Sequence, residues 1–222
     1  MDPLEQLTKT LLQHKNPTIA RWHYQYMKHQ FPFLGIQQPL RKKLQKPFLK
    51  QFQSASFSTI ETILQNLWDK AEREFQYIGL DLALSYQWPQ HSIPIFKTMI
   101  ITKSWWDTVD LLASRLIGNY LKQFPEEHVQ IVNWKTETNP WLQRTSLLFQ
   151  LRYKNQINLN LLFNICESIM RNHNPILQRA LAWVLREAGK TFPQQIYQFI
   201  ARNKNNIVSY VQREALIYIK KS

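Results

Sequence analysis

Two side chains in the segment KSWWDTVD, residues 103–110, have the types and spacing to act together on a substrate. Trp106 and Asp110 are four residues apart, so on a helix they share one face. A carboxylate stabilises a nearby positive charge, and an indole face attracts a cation, so the pair can line a pocket. The alternative is a packed tryptophan and an aspartate that is solvated or paired in a salt bridge.

A third candidate is Arg144, which lies in the stretch WLQRTSLLF, residues 141–149. This stretch is apolar nearly all round, so a guanidinium there needs an anionic partner, either a carboxylate or a phosphate. The alternative is a structural arginine repeated between helices, because Arg179 and Arg213 occupy equivalent positions in the repeat described below.

A helix predicted from Ile176 to Lys190 has one apolar and one cationic side. The apolar side contains Leu177, Leu181, Val184, Leu185 and Ala188. The opposite side contains Arg179, Trp183, Arg186 and Lys190. Cations around an indole resemble a nucleic-acid surface, where cations meet phosphates and the indole meets a base or a sugar. Burial of Trp183 against the next repeat is an equally good interpretation.

The helix that carries Trp106 and Asp110 has its own predicted start and core face. Ser104 followed by Asp107 predicts a capping box at the helix start, which gives Asp107 a structural role. The predicted core stripe, in which Trp105 also lies, contains Val109, Leu112, Ala113, Leu116 and Tyr120. Trp106 and Asp110 lie at the edge of this stripe.

Apolar residues recur at three- and four-residue spacing almost throughout, which predicts an all-α fold. Prolines fall where helices should begin or end, and Pro17, Pro140 and Pro175 each follow an asparagine. With only 4 glycines, the chain has little material for hairpins or phosphate-binding loops. No dinucleotide fingerprint, P-loop or HExxH motif occurs in it.

Three similar triplets predict an internal repeat. They are Leu142-Gln143-Arg144, Leu177-Gln178-Arg179 and Val211-Gln212-Arg213, and each opens an apolar helix. The arginines are 35 and 34 residues apart, and similar steps back from Arg144 reach Thr108 and Arg73. This period suits two-helix repeats of the HEAT or armadillo kind, which stack into one curved domain with a concave surface. We therefore expect a single domain over residues 1–222.

The net charge of +13, with a pI near 9.9, favours a polyanionic partner, with nucleic acid first and an anionic membrane second.

The chain has a single cysteine, Cys166, in an apolar run that predicts a core position, so it has no intramolecular disulfide. The six histidines lack metal-ligand spacing. The acidic start is unlike a signal peptide, and no apolar run is long enough for a membrane helix. We expect a cytoplasmic protein.

At these residues the chain resembles the AlkD family of alkylpurine DNA glycosylases, over essentially its full length. The most specific segments are 33–37 (FLGIQ), 102–110 (TKSWWDTVD), 141–144 (WLQR) and 183–187 (WVLRE). The resemblance implies a C-shaped stack of HEAT-like repeats with duplex DNA in a concave basic groove. It places the catalytic carboxylate at Asp110, the assisting arginine at Arg144, and the aromatic cleft at Trp106, Trp183 and Tyr26.

The same resemblance implies a reaction and further contacts. Substrates would be purines alkylated at ring nitrogens, chiefly 3-methyladenine and 7-methylguanine, excised by a monomer without cofactor or metal. Where some relatives carry aromatic residues just before the position of Trp183, this chain has Pro175 and Ile176, so the resemblance does not define the duplex contacts there. The expected DNA-binding residues are Tyr26, Gln37, Gln38, Lys103, Ser104, Arg179, Arg186 and Lys190.

The residues agree with this chemistry, because an N-alkylated purine is a cation and its departure leaves a cationic sugar. Asp110 would stabilise that sugar and orient water, and nearby cations such as Arg144 should keep Asp110 ionised. Two other functions fit the charge and the repeats: a non-catalytic scaffold for distorted or branched DNA, and a helical adaptor for acidic proteins. A DNA surface predicts binding that weakens steeply with salt, which an adaptor does not.

Overall fold

The computed structural model describes residues 2–219, which are helical and contain no β-strand. This confirms the all-α helical-repeat class. The chain divides into two compact units, residues 1–89 and 90–222, and each is described by itself below. The expected single domain over residues 1–222 stays a prediction. Every helix in the described residues is too short or too polar to cross a bilayer.

The first unit contains five helices within its described residues, and polar side chains fix several of their starts. They are α1 (Pro3–Gln13), α2 (Pro17–Tyr26), α3 (Gln38–Gln51), α4 (Phe57–Asp69) and α5 (Arg73–Ser85). Asp2, Asn16 and Ser56 each accept a backbone N–H of the first helical turn that follows. These caps satisfy donors that a helix start leaves without partners.

The loop between α2 and α3 is held by one buried carboxylate. Glu74 in α5 accepts the backbone N–H groups of Leu34, Gly35 and Ile36 at 3.0, 2.9 and 3.1 Å. Gly35 has a φ of +81°, and a Cβ there would lie 2.1 Å from the carbonyl oxygen of Asn16. The loop therefore packs directly on the start of α2, and this position requires glycine.

The second unit continues the helical series. It contains α6 (Ile93–Ile101), α7 (Trp106–Leu111), a π-helical segment (Leu112–Ile117), α8 (Gly118–Gln123), α9 (His128–Asn133), α10 (Pro140–Leu148), α11 (Leu159–Ile169), α12 (Pro175–Gly189), α13 (Pro193–Arg202) and α14 (Ser209–Ala215). Asn139 and Asn174 cap α10 and α12 by accepting the backbone N–H of Trp141 and Ile176, both at 2.9 Å. The predicted asparagine–proline helix starts are confirmed.

The glutamine of each predicted triplet performs the same task in its repeat. Gln143 donates to the carbonyl of Glu137 at 2.8 Å, Gln178 to that of Asn172 at 2.5 Å, and Gln212 to that of Ile207 at 2.6 Å. Each side-chain amide thus ties its helix to the loop that precedes it, and satisfies a carbonyl that the turn would otherwise leave unpaired. The triplets therefore mark a true structural repeat in α10, α12 and α14.

Replacement of Gly35 by alanine should lower the free energy of unfolding by more than about 2 kcal/mol, because it forces a left-handed backbone and a clash with the backbone of α2. Gly189→Ala in α12 is the matched control, since the nearest atom to its Cβ is a side-chain carbon of Ile219 at 3.3 Å. Urea unfolding of both variants tests this. Equal stability of the two variants would contradict the role assigned to Gly35.

Candidate functional site

The start of α7 differs from the sequence prediction. The helix begins at Trp106 and its N-cap residue is Trp105, so Ser104 is not the N-cap and the predicted capping box of Ser104 and Asp107 is wrong. Ser104 instead donates its hydroxyl to the carbonyl of Ile100 at 2.6 Å, and so closes the preceding helix α6. Ser104 bonds to α6 and does not cap α7 because Lys103 adopts a φ of +50°, which turns the chain between the two helices.

The core face of this helix is as predicted, although the helix changes type along it. The predicted stripe is fully buried: Val109, Leu112, Ala113, Leu116 and Tyr120. Immediately after Asp110 and Leu111 the chain continues as the π-helical segment, and the Ser114 hydroxyl donates to the Asp110 carbonyl at 2.6 Å. Single π-helical turns inside α-helices occur frequently at functional sites.

Asp110 and Arg144 form a bidentate ion pair that joins α7 to α10. The Arg144 Nε lies 2.6 Å from Asp110 Oδ1, and Nη2 lies 2.8 Å from Oδ2. The arginine side chain is 7% exposed and the aspartate side chain 14%. The anionic partner that Arg144 was expected to need is therefore a carboxylate of the protein, and the side chain of Asp110 still reaches solvent.

The guanidinium of Arg144 also reaches a third helix. Its Nη1 donates to the carbonyl of Ile176 in the first turn of α12 at 2.6 Å. The sequence analysis missed this partner, because every residue has a backbone carbonyl and the residue type does not show which carbonyl accepts a hydrogen bond. Arg179 and Arg213, which hold the equivalent repeat positions, are exposed. Arg144 therefore differs from Arg179 and Arg213, whereas Arg73, which the same register reaches, is also buried.

The ion pair has a specific electrostatic setting. Burial raises the pKa of the Asp110 carboxyl above its ordinary value of 3.8, while the hydrogen bonds and the positive charge of Arg144 oppose that rise. Asp107, one turn earlier, raises the same pKa further. The sequence analysis considered only how Arg144 lowers the pKa of Asp110, and it left out how burial raises that pKa.

The tryptophans near this pair differ in exposure. Trp106, one turn before Asp110 on α7, is 39% exposed. Trp183 on α12 is half-buried, seven residues beyond Ile176 and so on the same side of that helix. Trp105 is half-buried with its ring 5.8 Å from that of Trp141, in agreement with a packing role.

The predicted cationic side of α12 is largely paired within the protein. Arg186 lies 2.7 Å from a carboxylate oxygen of Glu214, and Lys190 lies 2.8 Å from one of Glu187. Lys190 also lies over the ring of Tyr218, 5.0 Å from its centroid. Arg179 is exposed. Arg179 thus has the more accessible charge for a polyanion, whereas Arg186 has a role in holding α14.

Three further predicted residues belong to the first unit. Tyr26 is 56% exposed at the end of α2. Gln37 and Gln38 are exposed at the start of α3, directly after the loop that Glu74 holds. The sequence analysis did not predict this role of Glu74, which lies next to Arg73 of the repeat register.

In the described part of the chain, no three or more His, Cys, Asp and Glu side chains are grouped to hold a metal ion. Cys166 is buried in α11 as predicted, and burial raises the pKa of its thiol.

Comparison with known proteins gives the family. The model of the DNA alkylation repair enzyme family matches residues 7–219, nearly the whole chain. The chain belongs to that family. A solved structure of a predicted DNA alkylation repair enzyme from Enterococcus faecalis is similar to it at 30% identity, with a TM-score of 0.87, over 94% of this chain and 98% of the other. No curated protein gives a significant match. Membership of the DNA alkylation repair family implies a role in repair of alkylated DNA.

Replacement of Arg144 by alanine should destabilise this family member by about 3 kcal/mol, because it leaves the Asp110 carboxylate largely buried without its cation. The double variant Asp110→Ala/Arg144→Ala should lose less than the sum of the single losses, because neither partner is then left alone. Urea unfolding of the four proteins of this cycle measures the coupling. Additive losses would show that the ion pair is not an energetic unit.

Proposed function

We propose that the protein is a DNA glycosylase that hydrolyses the N-glycosidic bond of cationic N-alkylated purines in duplex DNA, chiefly 3-methyladenine and 7-methylguanine. This is the first step of base excision repair. The observation that carries the proposal is the Asp110 carboxylate, which Arg144 holds in a fixed orientation one turn from the exposed indole of Trp106.

The ion pair leaves the carboxylate able to do chemistry. A carboxylate offers about four acceptor positions, and Arg144 occupies two of them with Nε and Nη2. The side chain of Asp110 keeps 14% of its surface exposed, which gives access to a water molecule or a sugar. Arg144 acts as a positioning residue in this proposal, because it fixes the plane of the carboxylate without touching the substrate.

The proposed reaction balances without a cofactor. The bond between the sugar C1′ and the purine nitrogen breaks, and its electron pair stays on the base and neutralises the positive charge there. The sugar becomes oxocarbenium-like, and the Asp110 carboxylate stabilises it and accepts a hydrogen bond from water. The water oxygen bonds to C1′ and its proton passes to Asp110 or to solvent. A free base and an abasic site are the products.

The tryptophans account for a preference for charged lesions. An indole face attracts a cation by about 0.5–2 kcal/mol, and more when solvent is excluded. Trp106, and Trp183 in the same proposal, would therefore favour a cationic base or sugar over a neutral one. Since the departing base becomes neutral, the reaction needs no general acid. Tyr26, Gln37, Gln38, Lys103, Ser104, Arg179, Arg186 and Lys190 remain the proposed DNA contacts.

The Asp110→Asn variant tests the role of the carboxylate. We expect the single-turnover rate of 7-methylguanine release from methylated duplex DNA to fall by about a hundredfold or more, because a neutral amide does not stabilise the sugar cation. DNA binding should persist. Glu137→Gln is the matched control, because Glu137 is also ion-paired, to Lys97 at 3.0 Å, but lies elsewhere in the same unit. Unchanged base release by Asp110→Asn would remove this residue from the mechanism. DNA binding without base release by the wild type would support the alternative function, a non-catalytic DNA-binding scaffold.

The pH dependence of base release gives an independent test. Because burial raises the pKa of Asp110 above 3.8, and because only the ionised carboxylate is active, activity should be full at higher pH and fall as pH drops through that raised pKa. The rate is measured at saturating enzyme, with spontaneous release subtracted and folding checked by circular dichroism at each pH. A rate that rises as pH falls would contradict the proposal.

A further inference from the structure

Helix α2 displays a stacked pair of aromatic side chains to solvent. The rings of Trp22 and Tyr26 lie 5.6 Å apart between centroids, with 13° between their planes. Trp22 is 61% exposed and Tyr26 is 56% exposed. The two residues are four apart, so they follow each other along one face of the helix. The pair presents a broad flat aromatic surface.

Packing of the first unit covers only part of this pair: the ring of Trp22 lies 5.4 Å from that of His23, yet Trp22 stays 61% exposed. No residue within α2 is buried, and the helix contacts the rest of the unit on another side. On that side the ring of His23 lies 5.2 Å from that of Phe33, and Met27, just after the helix, is buried. A protein gains little stability from an indole that stays mostly in water, and two adjacent exposed rings form a contiguous apolar patch of the kind found at interaction sites.

The sequence around the pair identifies the chemistry of the partner. From residue 6 to residue 60 the chain contains no aspartate and no glutamate. The same segment contains Lys9, Lys15, Arg21, Lys28, Arg41, Lys42, Lys43, Lys46 and Lys50. All of these except Arg41 have exposed side chains. Asp81 of α5 neutralises part of the charge, because it pairs with Arg41 at 3.4 Å and with Lys42 at 2.7 Å. Arg21 is adjacent to Trp22 in α2 and Lys28 follows the helix two residues after Tyr26, so exposed cations flank the pair along the chain.

We propose that Trp22, supported by Tyr26, is a stacking platform for an unstacked nucleotide of DNA held by the basic residues of this segment. Every base has a π face, so an exposed indole binds a base that has left the stack, while lysines contact the phosphates on either side. The second ring fixes the orientation of the first and extends the stack. The inference rests on the proposed function in that it requires DNA as the ligand, and it adds a preference for locally unstacked DNA.

The test compares binding of wild type and variants to two labelled duplexes, one intact and one with a single-nucleotide bulge, by fluorescence anisotropy. Wild type should prefer the bulged duplex. Trp22→Ala should lose about fivefold or more in affinity for it, because stacking of one base is worth about 1–3 kcal/mol, and should lose less for the intact duplex. Trp22→Phe should restore most of the preference. Tyr197→Ala is the matched control, because Tyr197 is an exposed aromatic residue of α13 outside this surface.

Salt dependence separates stacking from charge. The slope of log affinity against log salt should be the same for Trp22→Ala and wild type, because an indole releases no counterions. Lys43→Ala should reduce the slope by about 0.9, the value for one phosphate contact. Equal losses of Trp22→Ala on both duplexes, or no loss on either, would overturn the inference.

The same proteins are assayed for 7-methylguanine release and for binding to anionic vesicles. Absence of base release by wild type would refute the proposed glycosylase but leave a preference for bulged DNA intact. Binding of wild type to vesicles of phosphatidylserine and phosphatidylcholine, lost in Trp22→Ala, together with absence of a preference for bulged DNA, would assign the platform to a membrane and overturn the inference.

Discussion

A paired charge largely removed from water is the constraint around which the second unit is organised. Transfer of the Arg144 guanidinium out of water costs several kcal/mol unless each donor finds an acceptor. Asp110 supplies two acceptors and the Ile176 carbonyl supplies a third. These partners come from α7 and α12, on either side of α10. One side chain therefore fixes the relative register of three successive repeats, and it fixes the carboxylate at the same time.

Within each repeat, a local hydrogen bond from a glutamine side chain holds the start of the helix. The glutamine at the second position of each triplet ties the start of its helix to the loop before it, as Gln143, Gln178 and Gln212 do. Asparagine caps and prolines then set where α10 and α12 begin. Since a single helix pair buries its apolar face only against a neighbour, the loops must present successive pairs at a constant offset. The amide contacts fix the helix starts, while the buried first residues of the triplets, Leu142, Leu177 and Val211, pack in the core.

Periodic features of the structure could be predicted from the sequence, and features that depend on a single backbone conformation could not. The helical repeat, the buried stripe from Val109 to Tyr120 and the need of Arg144 for an anion all follow from spacing and polarity. The capping box failed because a left-handed Lys103 redirected Ser104 to the preceding helix. A phosphate would have satisfied Arg144 as well as Asp110 does, so the sequence left that choice open. Trp22 escaped notice because helical spacing alone does not show how little of α2 is buried.

The widened π-helical turn between residues 112 and 117 has the effect of one extra residue inserted into an otherwise regular α-helix. Trp106 and Asp110 lie before this turn, and Tyr120 and Leu121, which are buried, lie after it. Since each residue of an α-helix turns the chain by about 100°, the insertion shifts the side chains after it by about that angle from where an unbroken α-helix would place them. The direction of the Asp110 carboxylate relative to the hydrophobic interior is therefore set by this one inserted residue, together with the bidentate contact to Arg144.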